Sequence, residues 1–154
     1  MNDYEVMVKV PASTANLGSG FDSIGMALQR YTIIKMKRAK ETQFHFVGEQ
    51  QKGLPNNKQN LIYQAADYLC KQPKAETPEL EIEVESDIPL ARGLGSSGSA
   101  IIGGMVAVNA LLGKPFTKDE IFQFASELEG HPDNVGASLF GGIIVSAKNA
   151  ENKY

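Results

Sequence analysis

A glycine- and serine-rich run at residues 93–99, Gly-Leu-Gly-Ser-Ser-Gly-Ser, constrains this chain more than any other feature. It follows a segment in which Leu80, Ile82 and Val84 alternate with glutamates, the period-two pattern of a half-buried strand. It precedes residues 100–112, which are apolar nearly all round and predict a buried central helix. The backbone must therefore pass from a strand into a helix, and glycine permits both the tight turn and the close approach of a ligand.

The same run has the chemistry of an anion site. Free amides of the loop and of the first helical turn form a concave surface of donors, and the helix dipole adds about half a positive charge. Ser96 and Ser97 can cap the helix or turn a hydroxyl toward a phosphate or a metal ion. Three glycines and three serines in seven residues exceed what a turn needs, so we favour phosphate binding over an empty, serine-capped turn.

Two other phosphate loops fit less well. The chain lacks G-x-x-x-x-G-K-[ST], which excludes a P-loop of the Walker type. Gly93, Gly95 and Gly98 do form the G-x-G-x-x-G pattern of dinucleotide-binding folds, but that pattern expects an acid about 20 residues later, at the end of a parallel strand. Asp119 and Glu120 lie near that distance at the start of a predicted helix, which disfavours a dinucleotide site.

Composition narrows the class of partner. The chain has 154 residues, enough for one compact domain, and no run of 18 apolar residues, so we expect no membrane span. The net charge of −3 disfavours nucleic acid, which is bound largely by Lys and Arg. Cys70 is the only cysteine, which excludes an internal disulfide and fits a reducing cytoplasm. The acidic start, residues 1–5, is unlike a secretory signal.

Hydrophobic periodicity predicts the remaining elements, and their interspersed order predicts an α+β or α/β domain. Pro11 is expected to end the first strand, and a polar loop follows to Gly20; residues 21–28 are too short a pattern to classify. Asn60 can cap a helix, and residues 117–120 form a capping box that opens another. Strands are predicted at residues 4–10, 31–36, 44–47, 80–84 and 143–145.

Two further polar clusters are candidate ligand sites. Asn16 and Asp22, on a glycine-punctuated loop, suit a small polar substrate, but such residues equally satisfy their own backbone in Asx turns, and the residues alone leave this open. Glu127 and Glu129 end a predicted helix, where acids oppose the helix dipole unless a cation is near. Bound Mg²⁺ is a natural partner, and we favour it over a solvated acidic end.

A hydrolase triad built on the next residues is disfavoured. His131 and Asp133 could join one of the nearby serines, but no G-x-S-x-G nucleophile elbow is present.

Three stretches in this order resemble the GHMP kinase superfamily. They are P-x-S-T-A-N-L-G-x-G-F-D from Pro11, P-x-A-R-G-L-G-S-S from Pro89 and E-G-H-P-D-N from Glu129. The G-L-G-S-S loop is typical of the whole superfamily, which includes mevalonate and galactose kinases, whereas the first motif with His-Pro-Asp-Asn is similar to the homoserine kinases. The resemblance implies an α+β fold like the second domain of ribosomal protein S5, with a left-handed β-α-β crossover.

The resemblance also implies ATP and Mg²⁺ as cofactors. Asn60 would lie near the adenine, and Ser97 and Glu129 would bind Mg²⁺, with Glu127 as the alternative carboxylate. The ATP phosphates would be held by Pro89, Leu90, Ala91, Arg92, Gly93, Leu94, Gly95, Ser96, Ser97, Gly98 and Ser99.

Substrate residues follow from the same resemblance. Asn16, Asp22 and His131 would contact L-homoserine, with Asp22 suited to its ammonium group. Asn134 would lie close to the acceptor hydroxyl as a neutral positioning group, and Asp133 is the nearest candidate for a general base. The implied reaction is ATP-dependent phosphorylation of the homoserine hydroxyl, a step of threonine biosynthesis. The alternatives are another GHMP small-molecule kinase or a non-catalytic nucleotide-binding fragment.

The motifs present belong to the first half of such kinases. Family members are nearly twice as long, and their second half supplies a further glycine-rich motif and arginines for the substrate carboxylate. We therefore expect residues 1–154 to be the N-terminal ATP-binding domain, with the C-terminal domain absent from this chain. An exposed apolar strand near residues 143–145 would favour association, for example as a homodimer.

Overall fold

The apolar alternation of the strands builds one mixed sheet. The computed structural model describes residues 4–49, 51–151, 153 and 154. In chain order the elements are β1 (Val6–Ala15), β2 (Ile24–Arg38), β3 (Gln43–Val47), α1 (Leu61–Lys71), β4 (Leu80–Ser86), α2 (Ser96–Leu111), α3 (Lys118–Glu129), α4 (Asp133–Phe140) and β5 (Ile143–Val145). Their mixture confirms the predicted α+β class.

The sheet has the strand order β1-β2-β4-β3, with β5 paired to the first residues of β2. The pairs β1–β2, β2–β4 and β2–β5 are antiparallel, and β3–β4 is parallel. Parallel neighbours need a crossover connection, and α1 supplies it between β3 and β4. This is the β-α-β unit that the resemblance implied; its left hand stays a prediction.

One face of the sheet carries the core. Val10, Ile34 and Ile82, which share a parity along their strands, are at most 2% exposed and contact the helices. The opposite parity carries charged pairs such as Lys35–Glu83 at 2.7 Å, so that face is solvated. Among the described residues, no helix is long and apolar enough to cross a bilayer.

The first strand is longer than its sequence pattern predicts. Pro11 does not end β1, which continues to Ala15. The pairing with β2 shifts register between Pro11 and Ala12, and such an irregularity accommodates a residue that lacks an N–H donor. The predicted polar loop is correspondingly shorter, and β2 absorbs residues 24–28.

The helix starts also differ from the predictions. The central helix α2 begins at Ser96 rather than near residue 100, and its N-cap is Gly95, so capping by Ser96 or Ser97 is wrong. The E-G-H-P-D-N motif opens a separate short helix, α4, that periodicity did not predict. The N-cap at Asn60 is confirmed, as is the capping box between Thr117 and Glu120.

The predicted apolar strand at the end of the sheet is exposed. Ile143 and Val145 keep 66% and 75% of their surface accessible, whereas Ile144 is half-buried and lies beside Gly136 of α4. This exposure confirms the expectation for β5.

A close approach between α1 and α2 fixes the helical layer. A Cβ added at Gly104 would lie 2.3 Å from the carbonyl oxygen of Ile62, a backbone atom of α1. A Cβ at the neighbouring Gly103 would lie 2.3 Å from Cδ1 of Ile34, which ends a flexible side chain.

These two glycines form a matched test of that approach. We expect Gly104→Ala to lower the free energy of unfolding by about 2–3 kcal/mol, since overpacking against a backbone outweighs alanine's helix propensity. Gly103→Ala should cost clearly less, because Ile34 can change rotamer. Urea denaturation followed by circular dichroism measures both, and equal losses would contradict the assigned contact.

Candidate functional site

Four elements converge around the glycine-rich loop. The backbone N–H of Ser13, near the end of β1, donates to the carbonyl of Leu94 at 3.1 Å. The Ser13 hydroxyl donates to Oδ1 of Asn134, in the first turn of α4, at 2.8 Å. The loop itself leaves β4 and enters α2, so β1, β4, α2 and α4 meet at one end of the sheet.

An apolar cavity of about 270 Å³ lies beside the loop, at the N-terminus of α1. Its walls include Val84, Ile88 and Leu90 on the sheet side and Asn60 on the helix side. The Asn60 side chain accepts a hydrogen bond from the N–H of Ile62 at 3.0 Å and donates to the carbonyl of Pro55 at 2.8 Å. Asn60 is therefore at the cavity, as predicted, with its carbonyl oxygen committed to capping α1.

A second, more polar cavity of about 410 Å³ continues from the first. Ser96 and Ser97 line both cavities, so the two spaces adjoin at the start of α2. The rest of its lining comes from the loop, the end of β1 and α4: Ala15, Asn16, Ala91, Gly93, Leu94, Gly95 and Asn134. An apolar pocket thus adjoins a cavity lined by backbone amides and short polar side chains.

The backbone of the loop suits an anion. Ala91, Gly93 and Gly95 all have left-handed φ angles, of 56°, 68° and 67°, and alternation of such residues turns successive N–H groups into one concave surface. Within the described residues no side chain caps α2, so its first-turn amides have no side-chain acceptor. Donors of this kind at the start of a 16-residue helix fit a phosphate.

Gly95 is also a point of close approach. A Cβ there would lie 2.0 Å from Oγ of Ser13 and 3.1 Å from Oδ1 of Asn134. A Cβ at Gly93, which has nearly the same φ, would meet nothing within 4 Å. The absence of a side chain at Gly95 therefore allows the loop to lie against β1 and α4.

The predicted metal ligands are adjacent. The Ser97 hydroxyl donates to Oε1 of Glu129 at 2.7 Å. The alternative carboxylate is engaged elsewhere: Glu127 accepts hydrogen bonds from Tyr68 at 3.1 Å and Gln123 at 2.8 Å. Burial, followed by the contact with Glu127, raises the pKa of Tyr68. The carboxylate beside Ser97 is therefore that of Glu129 rather than that of Glu127.

The donor chemistry of this pair fits a hard cation. A hydroxyl and one carboxylate are oxygen ligands of the kind that Mg²⁺ prefers, together with phosphate oxygens. In the part of the chain that the structure describes, no group of three or more His, Cys, Asp or Glu side chains could hold a metal ion.

A buried carboxylate organises the start of α4. Asp133 is 1% exposed, and its Oδ1 accepts the backbone N–H of Asn134 at 2.7 Å and lies 2.9 Å from Nδ1 of His131. Its second oxygen is buried and has no hydrogen-bond partner among the described residues. Neither Asp133 nor His131 lines either cavity, whereas Asn134 lines the polar one.

Asn16 and Asp22 are linked by a hydrogen bond from the backbone of one to the side chain of the other. Oδ1 of Asn16 accepts the N–H of Asp22 at 2.9 Å, and both residues have left-handed φ angles, of 58° and 50°. Asn16 lines the polar cavity, and Asp22 is an exposed side chain outside its lining. The side-chain oxygen of Asn16 is therefore bonded to the loop backbone, but six residues on, which is not the Asx turn considered from the sequence.

The structure brings together most, but not all, of the predicted loop. Leu90, Ala91 and residues 93–97 line one cavity or the other; Pro89, Arg92, Gly98 and Ser99 do not. Sequence reasoning missed Ser13, whose one signal was its place in the first motif, and it missed Thr32, Ser86 and Gln51 in the apolar cavity.

Comparison with known proteins identifies the family. Residues 60–142 match the family model described as the GHMP kinases N terminal domain, which is more than half of the chain. The chain therefore belongs to the GHMP kinases, a class that uses ATP. This confirms the resemblance carried by the three motifs.

Individual relatives show which GHMP kinases the chain is similar to. A homoserine kinase of Staphylococcus epidermidis is 46% identical over 149 residues, covering 95% of this chain and 48% of its own length. The crystal structure of homoserine kinase from Cytophaga hutchinsonii superposes with a TM-score of 0.82 at 25% identity, covering all of this chain and 51% of that one. The mevalonate kinase of Methanococcus jannaschii shares the fold, with a TM-score of 0.70 at 21% identity over 93% of this chain and 53% of that one. The chain spans about half the length of the curated relatives it matches.

Proposed function

We propose that this chain is the ATP-binding half of a kinase that phosphorylates the side-chain hydroxyl of L-homoserine. The observation that carries the proposal is that an apolar cavity and a polar cavity share Ser96 and Ser97, at a helix N-terminus without a side-chain cap. Asn134 lines the polar cavity, and Ser97 is bonded to Glu129. The homoserine kinases that match nearly the whole chain support the choice of substrate. The product, O-phospho-L-homoserine, belongs to threonine biosynthesis.

The two cavities divide the nucleotide between them. The apolar cavity at Asn60 suits a purine ring, since Val84, Ile88 and Leu90 offer apolar contacts. The adjoining amides of residues 93–97 suit the phosphates, which reach them without a basic patch. Arg92 is exposed and is not needed for this arrangement.

Ser97 and Glu129 would hold Mg²⁺ against the phosphates. ATP supplies the phosphoryl group, and the cation supplies charge neutralisation on its oxygens. The chain's part is positional: the hydroxyl of Ser97 and the carboxylate of Glu129 are held in contact at 2.7 Å. The transition state of phosphoryl transfer is loose, so such pre-organised electrostatics are the main catalytic contribution.

Asn134 would orient the acceptor hydroxyl. It is the one residue of the His-Pro-Asp-Asn segment that lines the polar cavity, and its amide is neutral. Asp133 is a weak candidate for the general base, because Oδ1 is already occupied by neighbouring donors and both oxygens are buried. Asn16 lies near enough to contact the substrate, while Asp22 and His131 would need the substrate to extend beyond the polar cavity.

The remaining expectations stay with this proposal. A small-molecule substrate is consistent with the polar cavity, and we place the protein in the cytoplasm on the strength of its single, buried cysteine, Cys70. Homodimer formation through the exposed β5 stays a prediction.

A substrate panel tests the function directly. With the full-length protein and Mg-ATP, we expect kcat/KM for L-homoserine to exceed that for mevalonate or galactose by about 1,000-fold, since a polar site rejects ligands that leave its groups unpaired. Preferred turnover of another substrate would favour a different GHMP kinase. Nucleotide binding without turnover of any would favour the non-catalytic alternative.

A pair of glutamates tests the metal site. Glu129→Gln should weaken Mg²⁺-dependent ATP binding about tenfold, the size of about 1.4 kcal/mol of lost charge-assisted interaction. Glu127→Gln, a matched change on the same helix, should alter the affinity less than about twofold. Isothermal titration calorimetry with and without Mg²⁺ measures both, and a larger effect at Glu127 would reverse the assignment.

A further inference from the structure

We infer that Ser13 is a positioning residue that sets the orientation of the Asn134 side-chain amide. The inference rests on the proposed function for its catalytic consequence. Its structural part stands separately, on the hydrogen bonds among Ser13, Ser138, Asp133 and Asn134.

Ser13 is held on three sides. It is fully buried, and its backbone N–H is bonded to Leu94 of the glycine-rich loop. Its hydroxyl oxygen lies 2.8 Å from Oδ1 of Asn134, and it fits there because Gly95 has no Cβ. Because the Ser13 hydroxyl is fixed in this way, it sets the orientation of the Asn134 amide rather than adjusting to it.

The proton of the Ser13 hydroxyl has one good acceptor. Ser138 is the other nearby hydroxyl, and it lies 3.2 Å from the carbonyl of Pro11, which can only accept. Ser138 therefore commits its single proton to Pro11. Ser13 lies 3.5 Å from Ser138 but 2.8 Å from Asn134, so Ser13 donates to the amide oxygen of Asn134.

Asp133 favours the same orientation from the other side. Oδ1 of its carboxylate lies 3.5 Å from Nδ2 of Asn134, a long but attractive contact. Rotating the amide by half a turn would bring the amide oxygen toward that carboxylate and would leave Ser13 without its acceptor. The oxygen and nitrogen of an amide side chain are assigned from the hydrogen bonds around them. Here Ser13 and Asp133 both favour the same orientation of the Asn134 amide.

The consequence is chemical. Because the Asn134 amide oxygen is bonded to Ser13, the Nδ2 group is held on the other side of the amide, and Asn134 lines the polar cavity. In this orientation Nδ2 can donate to an oxygen of the acceptor or of the transferred phosphoryl group. Ser13 thereby favours a donor role for Asn134.

The orientation can be tested on the full-length protein without turnover. In a ¹⁵N–¹H correlation spectrum, the Asn134 side-chain pair is assigned by its loss in Asn134→Ala. We expect Ser13→Ala to shift this pair and speed its exchange with solvent. Ser126→Ala removes an equally buried, hydrogen-bonded serine in α3 and should leave the pair in place.

A Ser13→Ala spectrum with the Asn134 pair unmoved would overturn the inference. If the alanine variant does not fold, Ser13→Cys keeps the size and weakens the donor, and the same comparison applies.

Kinetics of the full-length protein test the consequence. Ser13→Ala should lower kcat about tenfold, the loss expected for one orienting hydrogen bond, and leave KM for ATP within about twofold. In an Asn134→Ala background the same substitution should change kcat less than about twofold, because Ser13 acts through Asn134.

If the losses in kcat from Ser13→Ala and Asn134→Ala were additive in the double variant, a positioning role for Ser13 would be contradicted. If the wild-type enzyme does not phosphorylate homoserine but Ser13→Ala still shifts the Asn134 side-chain signal, the proposed function is wrong and the inferred orientation of Asn134 is still supported.

Discussion

The contact between the glycine-rich loop and the first strand, at Gly95 and Ser13, is the constraint on which the rest of the site depends. The loop can reach β1 only because Gly95 carries no side chain, and the same position is the N-cap of α2. Its φ is left-handed, and its lack of a side chain leaves room for the Ser13 hydroxyl to reach Asn134. One glycine thus allows the start of α2, where we propose the phosphates bind, to lie beside the start of α4, where we propose the acceptor lies.

This arrangement explains how an acidic domain can hold a polyanion. The net charge is −3, and the polar cavity is lined by amides, hydroxyls and amide side chains rather than by lysines. Backbone donors at a helix start are fixed by the fold, so little reorganisation is needed when charge develops on a transferring group. Glu129 adds a negative charge next to Ser97, which is costly beside phosphates unless a cation lies between them. The site is therefore one in which nucleotide and metal are expected to bind together.

Local sequence predicted the parts of the fold that are stabilised locally. The cap at Asn60, the capping box at Thr117 and the alternation in β4 need only near neighbours, and all three are confirmed. Pro11 misled the prediction because its missing donor is tolerated by a register shift that exists only once β2 is paired. The short helix α4 lacks a long periodic pattern, and Ser13 gains meaning only from Asn134, 121 residues later. The resemblance did pair Ser97 with Glu129, but nothing in the sequence indicated that Ser13 and Asn134 are in contact.

The most direct test of this account is a titration of the chain with Mg-ATP, followed residue by residue through its backbone amide signals, with adenosine as the comparison. The account predicts that adenosine shifts signals around Asn60 and the apolar cavity, and that Mg-ATP adds its largest shifts between Gly93 and Ser99. The account would be contradicted if saturating Mg-ATP left the amide signals of that loop unshifted, or if the shifted signals came from a different surface.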